Sequence, residues 1–446
     1  MKLSLTACAA LVLALAPGLA HAETVAITGG TVYPVSGPRI PGGTVVVQNG
    51  RITAVGANVA IPANARRIDA RGKIVTPGFI NAFTQIGLTE LGGERSTRDT
   101  NARGPVAAAF QTWDGFFSDS AYIASTREDG ITTIGIMPGG GFIAGQAAFM
   151  DLSAGTAHDM LRKGPIAMLA GLTGGRFDGG DQDETAGAPN TAGTNEIANG
   201  PTSRGEAFAK LRELLNDVRA YVAHRRAYES SALRQLGASR EDLEALIPIV
   251  QGRLPLLITA DRVDDIDGVL RFARAQNIKV IINSGAEAWR IAPRLAAAHV
   301  AVVTGAMNNI PESFDKLGQR QENAALLRHA GVEVALVGNA GGGDEDQFNA
   351  RNVRYEAGNA VAYGMSHDDA LRAVTLGPAT VFGVADRVGS LQVGRDANIV
   401  IWSGDPFEFA TRAEHVFVGG REYNGRSRQD QLTEKYRTLP PAGKAP

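Results

Sequence analysis

Short apolar runs separated by glycine pairs open the chain. Residues 25–27, 44–47 and 51–55 are rich in valine and isoleucine, with Gly29-Gly30, Gly42-Gly43 and Asn49-Gly50 between them. Asn-Gly between two apolar runs favours a tight hairpin, because both residues tolerate the positive φ that such turns need. The same texture returns near the other end, at residues 389–393, 396–402 and 415–418, the last followed by Gly419-Gly420. Strands at both ends of a chain whose middle reads differently predict one small β-sandwich assembled from the two termini.

The middle, residues 77–383, alternates apolar strands with helical stretches, which marks a parallel α/β sheet or barrel. Eight strands are expected, at residues 74–82, 131–137, 147–152, 165–170, 254–260, 279–283, 300–304 and 332–337. Eight is the number that closes a (β/α)8 TIM-type barrel. Amphipathic helices are expected at 205–228, 264–276, 291–298, 321–330 and 367–375, the last capped by Ser366. Residues 174–205 form a Gly-, Asp- and Asn-rich insertion after the fourth strand, where barrel loops surround the mouth. A lid over the site and a plain solvated loop are both open readings of it. The resulting division is a leader at 1–22, sandwich segments at 23–76 and 384–430, the barrel at 77–383 and a tail at 431–446.

Composition narrows the function classes. A net charge of -2 over 446 residues gives no basic surface for nucleic acid. Lys2, the apolar stretch 3–19 and Ala20-His21-Ala22 have the layout of a secretory signal, which predicts a periplasmic or secreted protein with no membrane anchor after cleavage. Leu5-Thr6-Ala7-Cys8 matches a lipoprotein box in letters but comes too early in the apolar stretch. Cys8 is the only cysteine and would leave with the signal, so disulfides, thiolate metal sites and a cysteine nucleophile are not expected.

Several motifs carry little chemistry. Pro138-Gly-Gly-Gly-Phe-Ile-Ala-Gly145 lacks the spacing of a phosphate loop and is expected to make a tight βα turn. Ser313-Phe-Asp-Lys316 stands without the partner motifs of Ser-x-x-Lys hydrolases. Asp178, Asp181, Asp183 and Glu184 depart from the EF-hand pattern and read as a solvated acidic loop; Asp344-Glu345-Asp346 read the same way.

Val75-Thr-Pro-Gly-Phe-Ile-Asn-Ala-Phe-Thr-Gln85 resembles the opening barrel strand of the amidohydrolase family, which runs roughly Pro-Gly-Phe-Ile-Asp-Ala-His-Thr-His. The likeness extends over essentially the mature chain. It takes in Gly42-Gly-Thr-Val-Val-Val-Gln-Asn-Gly-Arg-Ile52, Gly130-Ile-Thr-Thr-Ile-Gly-Ile-Met137, residues 352–366 and 370–379, and Gly389-Ser-Leu-Gln-Val-Gly-Arg-Asp-Ala-Asn-Ile-Val-Ile-Trp402. Secreted imidazolonepropionase-like members are the most similar. The resemblance implies a barrel with a divalent metal at the strands' C-terminal ends and hydrolysis of carbon–nitrogen bonds other than peptide bonds. Its ligands would be a His-x-His on the first strand, often a carboxylated Lys on the fourth, His on the fifth and sixth, and Asp on the eighth.

Position by position, that ligand set is replaced. Phe83 and Gln85 stand for the histidine pair, Thr259 and Ser284 for the later histidines, and Asn339 for the aspartate. The fourth strand ends without lysine, since Lys163 falls at its other end. Amide and hydroxyl oxygens are weak neutral donors beside imidazole and carboxylate. His158, His224, His299, His329, His367 and His415 are expected on helices, helix ends or the terminal β-domain, away from the barrel mouth. The expectation is therefore no metal, no other cofactor and no catalytic residue of the family type. Three readings remain open. The favoured one is a non-catalytic subunit that assembles with an intact amidohydrolase paralogue. The others are a small-molecule binding protein using the vacated pocket, and a hydrolase with a relocated mechanism drawing on Asp261, Asp344 or Asp346.

Overall fold

The computed structural model describes residues 23–91, 94–139, 141–172, 200–307, 310–311, 313–338, 350–423 and 428–437. The leader, most of the 174–205 insertion, and Asn339, Asp344 and Asp346 lie outside the described residues.

The chain begins with β1 (Val25–Val32), β2 (Ile40–Gln48), β3 (Arg51–Gly56), β4 (Arg66–Asp69) and β5 (Ile74–Pro77). β2 and β3 form the hairpin expected from Asn49-Gly50, whose φ angles are 51° and 76°. β1 pairs antiparallel with β2 and parallel with both β4 and β5, so the sheet branches there.

Eight strands then build the barrel sheet. They are β6 (Phe79–Thr84), β7 (Ile131–Ile136), β8 (Ile143–Asp151), β9 (Leu161–Gly171), β10 (Leu256–Ala260), β11 (Val280–Ser284), β12 (Val302–Thr304) and β13 (Val334–Leu336). They neighbour one another in chain order, and β13 comes back beside β6 to leave the barrel nearly closed. The fold is a TIM-type barrel with one departure: β8 runs antiparallel to both β7 and β9. The tight βα turn expected at 138–145 is therefore a reversal between two strands. An unbroken buried run, residues 143–150, follows it directly, so no helix intervenes. Helices Arg204–Ala223, Arg240–Val250, Val263–Gln276, Ala292–Ala297 and Asn323–His329 lie between the later strands.

Side chains sort to two faces of the barrel. Ile80, Ala82, Phe149, Leu169, Leu257, Ile281, Val303 and Ala335 fill the inside. Leu256, Ile258, Val280, Ile282, Val302 and Val334 belong to the larger core beneath the helices. This alternation is the period-two pattern of strands buried on both faces.

The chain closes with β14 (Ile399–Trp402), β15 (Ala413–Val418) and β16 (Arg421–Glu422), which extend the first sheet through a β14–β5 pairing. The terminal segments thus make one eight-stranded sheet around a core that includes Val25, Ile27, Val45, Ile52, Ile399, Ile401 and Phe417. Residues 389–393 are not a strand as expected. Gly389 and Gly394 both take positive φ (89° and 88°), and turns replace extended backbone. Residues 74–82 divide into two strands in different sheets. At the break the Gly78 amide donates to the Asn398 carbonyl (2.9 Å), and a Cβ on Gly78 would meet Thr132 at 2.2 Å, so only glycine fits there.

Candidate functional site

The C-terminal ends of the barrel strands converge on the mouth, and four of the five positions matched to the family's ligands can be placed there. Phe83 is half-buried and packs against the apolar cluster inside the barrel; its amide donates to the Asn81 side chain (3.3 Å). Asn81 is itself fully buried and donates to the Ala350 carbonyl (2.8 Å), tying the first strand to the segment before helix Val353–Ala362. Gln85 lies just past β6. The Gly139 amide bonds the Thr100 carbonyl, and a Cβ on Gly139 would meet Asn101 Oδ1 at 2.8 Å and Gln85 Nε2 at 3.1 Å. Residues 100–101 therefore fold against this side of the mouth.

The wall made by β10 and β11 is the best-ordered polar surface. Thr259 pairs with Asn283 across the two strands, and Asn283 Nδ2 donates to Thr259 Oγ1 (2.9 Å). Both continue the inward faces set by Leu257 and Ile281. Asn283 is thus the inward neighbour of Thr259, and strand alternation from Ile281 was the signal that could have found it. Ser284 takes φ 69° and turns aside, placing Oγ 2.5 Å from Asp261 Oδ1. The Ala286 amide also donates to Asp261 Oδ1 (3.1 Å). Burial pushes the Asp261 carboxyl above its ordinary value. The Ser284 hydroxyl, the charge of Lys316 and the Ala286 N–H pull the other way.

Beyond β12 the loop is pinned at its base. Glu356 is fully buried and accepts from the amides of Ala306 (2.6 Å) and Met307 (2.9 Å), while Asn359 donates to the Ala306 carbonyl. Nothing in a single sequence marks these two helical residues as loop clamps. Farther out, Arg204 bonds both Asp265 and Asp315, and Trp289 Nε1 donates to the Gly318 carbonyl (3.0 Å). The loop so anchored holds Ile310, Phe314 and Leu317 at 73%, 80% and 60% exposure.

The histidines fall where expected: His158 and His367 in helices, His224, His299 and His329 at or just past helix ends, and His415 in β15. His367 Nε2 lies 3.0 Å from Asp405, and His415 Nδ1 lies 2.6 Å from Glu422. Lys163 sits at the start of β9, far along the strand from the mouth, and its ammonium donates to the carbonyls of Phe382 (3.2 Å) and Gly383 (2.9 Å).

A family model described as "Amidohydrolase family" matches residues 253–424, which span β10 through β16. Over these residues the chain is similar to the amidohydrolase family. The chain is 25% identical to a crystal structure of an amidohydrolase from Thermotoga maritima MSB8, with a TM-score of 0.76, over 90% of this chain and 100% of that one. It is 20% identical over 396 residues to an imidazolonepropionase of Brucella anthropi, covering 87% of this chain and 93% of that protein. It is also 23% identical over 393 residues to the amidohydrolase tasK of Hapsidospora irregularis, covering 85% of this chain but only 39% of that much longer protein.

At the four placed positions, the donors do not fit the amidohydrolase metal centre. Of the four placed positions, one carries an apolar ring and three carry neutral groups. Thr259 and Ser284 are already engaged in hydrogen bonds within the wall. Zinc sites draw on imidazole nitrogens, thiolates and carboxylates, and neutral hydroxyl or amide oxygens do not replace them. Among the described residues, no group of three or more His, Cys, Asp or Glu side chains is arranged to hold a metal ion.

Proposed function

We propose that this amidohydrolase-like protein works without the family's metal and uses the barrel mouth as a binding pocket for a small polar molecule in the periplasm. The observation that carries this reading is the β10–β11 wall. Asn283 is bonded to Thr259 and Asp261 to Ser284 and the Ala286 amide, so two neighbouring polar pairs are held in place, with the apolar interior beneath Thr259 and Asn283. Preorganised polar groups over an apolar floor are what a ligand pocket needs; a stripped metal site needs neither order nor partners. The leader-like residues 1–22 support the compartment.

A second reading, a non-catalytic subunit beside an intact amidohydrolase, is favoured by one feature. The anchored loop after β12 holds Ile310, Phe314 and Leu317 out to solvent. Large apolar side chains presented from a fixed base suit a protein contact more than a free surface.

Two measurements on full-length protein purified without chelators test the proposal. Elemental analysis should find well under one zinc, manganese, iron or nickel per chain, and a stoichiometric metal would overturn it. A thermal-shift screen of small amines, amides, lactams and cyclic imides should raise the melting temperature with at least one class. The subunit reading predicts a hetero-oligomer with a histidine-bearing barrel, and a strictly homo-oligomeric native protein counts against it.

A further inference from the structure

The pocket reading leaves open what the mouth would grip, and Asp261 answers that more sharply than its neighbours. Asp261 is half-buried and lies just past the end of β10. Both of its recorded hydrogen bonds, from Ser284 Oγ and the Ala286 amide, go to Oδ1. Among the described residues, Oδ2 receives no hydrogen bond, and Lys316 acts on the carboxylate only through space. Asp261 is only half-buried, so Oδ2 is open to a donor that enters the mouth, and a hydrogen bond to a charged acceptor is among the stronger ones.

Two further acceptors stand on the same wall. Asn283 spends Nδ2 on Thr259, which leaves Asn283 Oδ1 unspent. Thr259 Oγ1 takes that one bond and keeps a second lone pair. The wall therefore offers one charged and two neutral oxygens. No lysine or arginine side chain hydrogen-bonds to any of the three among the described residues.

Resting on the pocket reading above, we infer that the barrel mouth binds a primary amine in its ammonium form, with Asp261 as the anionic anchor and Asn283 and Thr259 as neutral acceptors. An ammonium carries three donors around a point charge and can address three separate oxygens. A guanidinium is less suited, because its planar fork matches a carboxylate with both oxygens free, and Oδ1 is already taken. Carboxylate ligands are disfavoured by the like charge of Asp261.

Isothermal titration of the full-length protein with benzylamine, benzyl alcohol, benzamide and benzoate tests the inference. Benzylamine should bind saturably at one site, with the neutral compounds about 10- to 100-fold weaker and benzoate weakest. Asp261→Asn keeps the shape and removes the charge, so it should cut benzylamine affinity by about 10- to 100-fold and leave benzamide nearly unchanged. Asn283→Asp adds an anion to the wall and should tighten benzylamine, which keeps the test alive if the first variant fails to fold. Equal affinity for benzylamine and benzyl alcohol, or an unchanged benzylamine affinity in both variants, overturns the ammonium assignment. If the neutral compounds bind while benzylamine gains nothing, the pocket stands and the amine falls. If none of the four binds, the amine falls, and the pocket falls with it only if the wider thermal-shift screen is also blank.

Discussion

The two ends of the barrel are built on opposite plans. At the end facing the terminal sheet, charges are buried and paired. Arg162 of β9 bonds Asp151 at the end of β8 and also reaches Asp396 (2.7 Å), which in turn holds Arg387 (3.0 Å). Nearby, Trp402 of β14 donates to Thr76 (2.8 Å) and lies 5.0 Å from the Phe79 ring. At the mouth, the polar groups are mostly neutral, and part of their bonding capacity is unspent. The difference separates two jobs within one fold. The joint between sheet and barrel has to be satisfied internally because nothing else will meet it, whereas the mouth can leave atoms for a visitor. Function can therefore drift at one end while architecture holds at the other.

Substitutions should expose this asymmetry. Arg162→Ala would leave the largely buried Asp151 carboxylate without its cation and take one of its arginines from Asp396, and is expected to cost about 3 kcal/mol, read as a lowered urea midpoint. Gly130→Ala is the next most disruptive. A Cβ there would lie 2.2 Å from the Trp402 ring, and φ is already 82°, so a loss of about 2–3 kcal/mol is expected in the same assay. A cost below about 0.5 kcal/mol for either would show that the joint is not the stiff end.

The His367–Asp405 pair links the helix His367–Ala373 to the loop after β14 and is only partly shielded. The Asp405 carboxylate raises the His367 pKa above its ordinary 6.5, and His367 lowers that of Asp405. For a raised histidine, the added stability is fully present below the unfolded pKa and is lost as pH climbs through the folded value. For the lowered aspartate, it is present above the unfolded pKa and lost as pH falls through the folded one. With both groups about a third exposed, solvent screening limits the effect to ~0.5 kcal/mol. Wild-type protein should therefore lose slightly more stability than Asp405→Asn between pH ~6 and ~8, by chemical denaturation. Parallel pH profiles for the two proteins would remove the pair from the account.

The smallest effect is expected at the mouth. Gln85 has no side-chain hydrogen bond among the described residues, so Gln85→Ala should change stability by less than about 0.5 kcal/mol. A larger loss would mean that the mouth, like the joint, is held by its own contacts.

How much of this was legible in the sequence depends on what each feature requires. Eight barrel strands, the Asn49-Gly50 hairpin and the Ser366 cap, which accepts from the Asp369 amide (3.0 Å), are written locally, in runs and turn residues. The direction of β8 is not, because a buried apolar run reads the same from either end. Neither is the break at Gly78, where a glycine inside one apolar stretch marks the passage between two sheets. At the site, the replacement of ligand types could be read by position. Ser284 pairing with Asp261 could not, since it follows from a left-handed residue that nothing in the local pattern announces. The pairing of Asn283 with Thr259 sits between these cases, because strand alternation pointed to it.

The reversed third strand also bears on how the molecule comes together. β7, β8 and β9 form a meander closed within residues 131–171, so their pairing joins stretches close along the chain. Parallel neighbours need a crossover before they can meet, and contacts distant in sequence form slowly. This protein therefore carries, inside a barrel type whose assembly is otherwise long-range, a patch of sheet that can form early and offer its β9 edge as a template for the strands that arrive later.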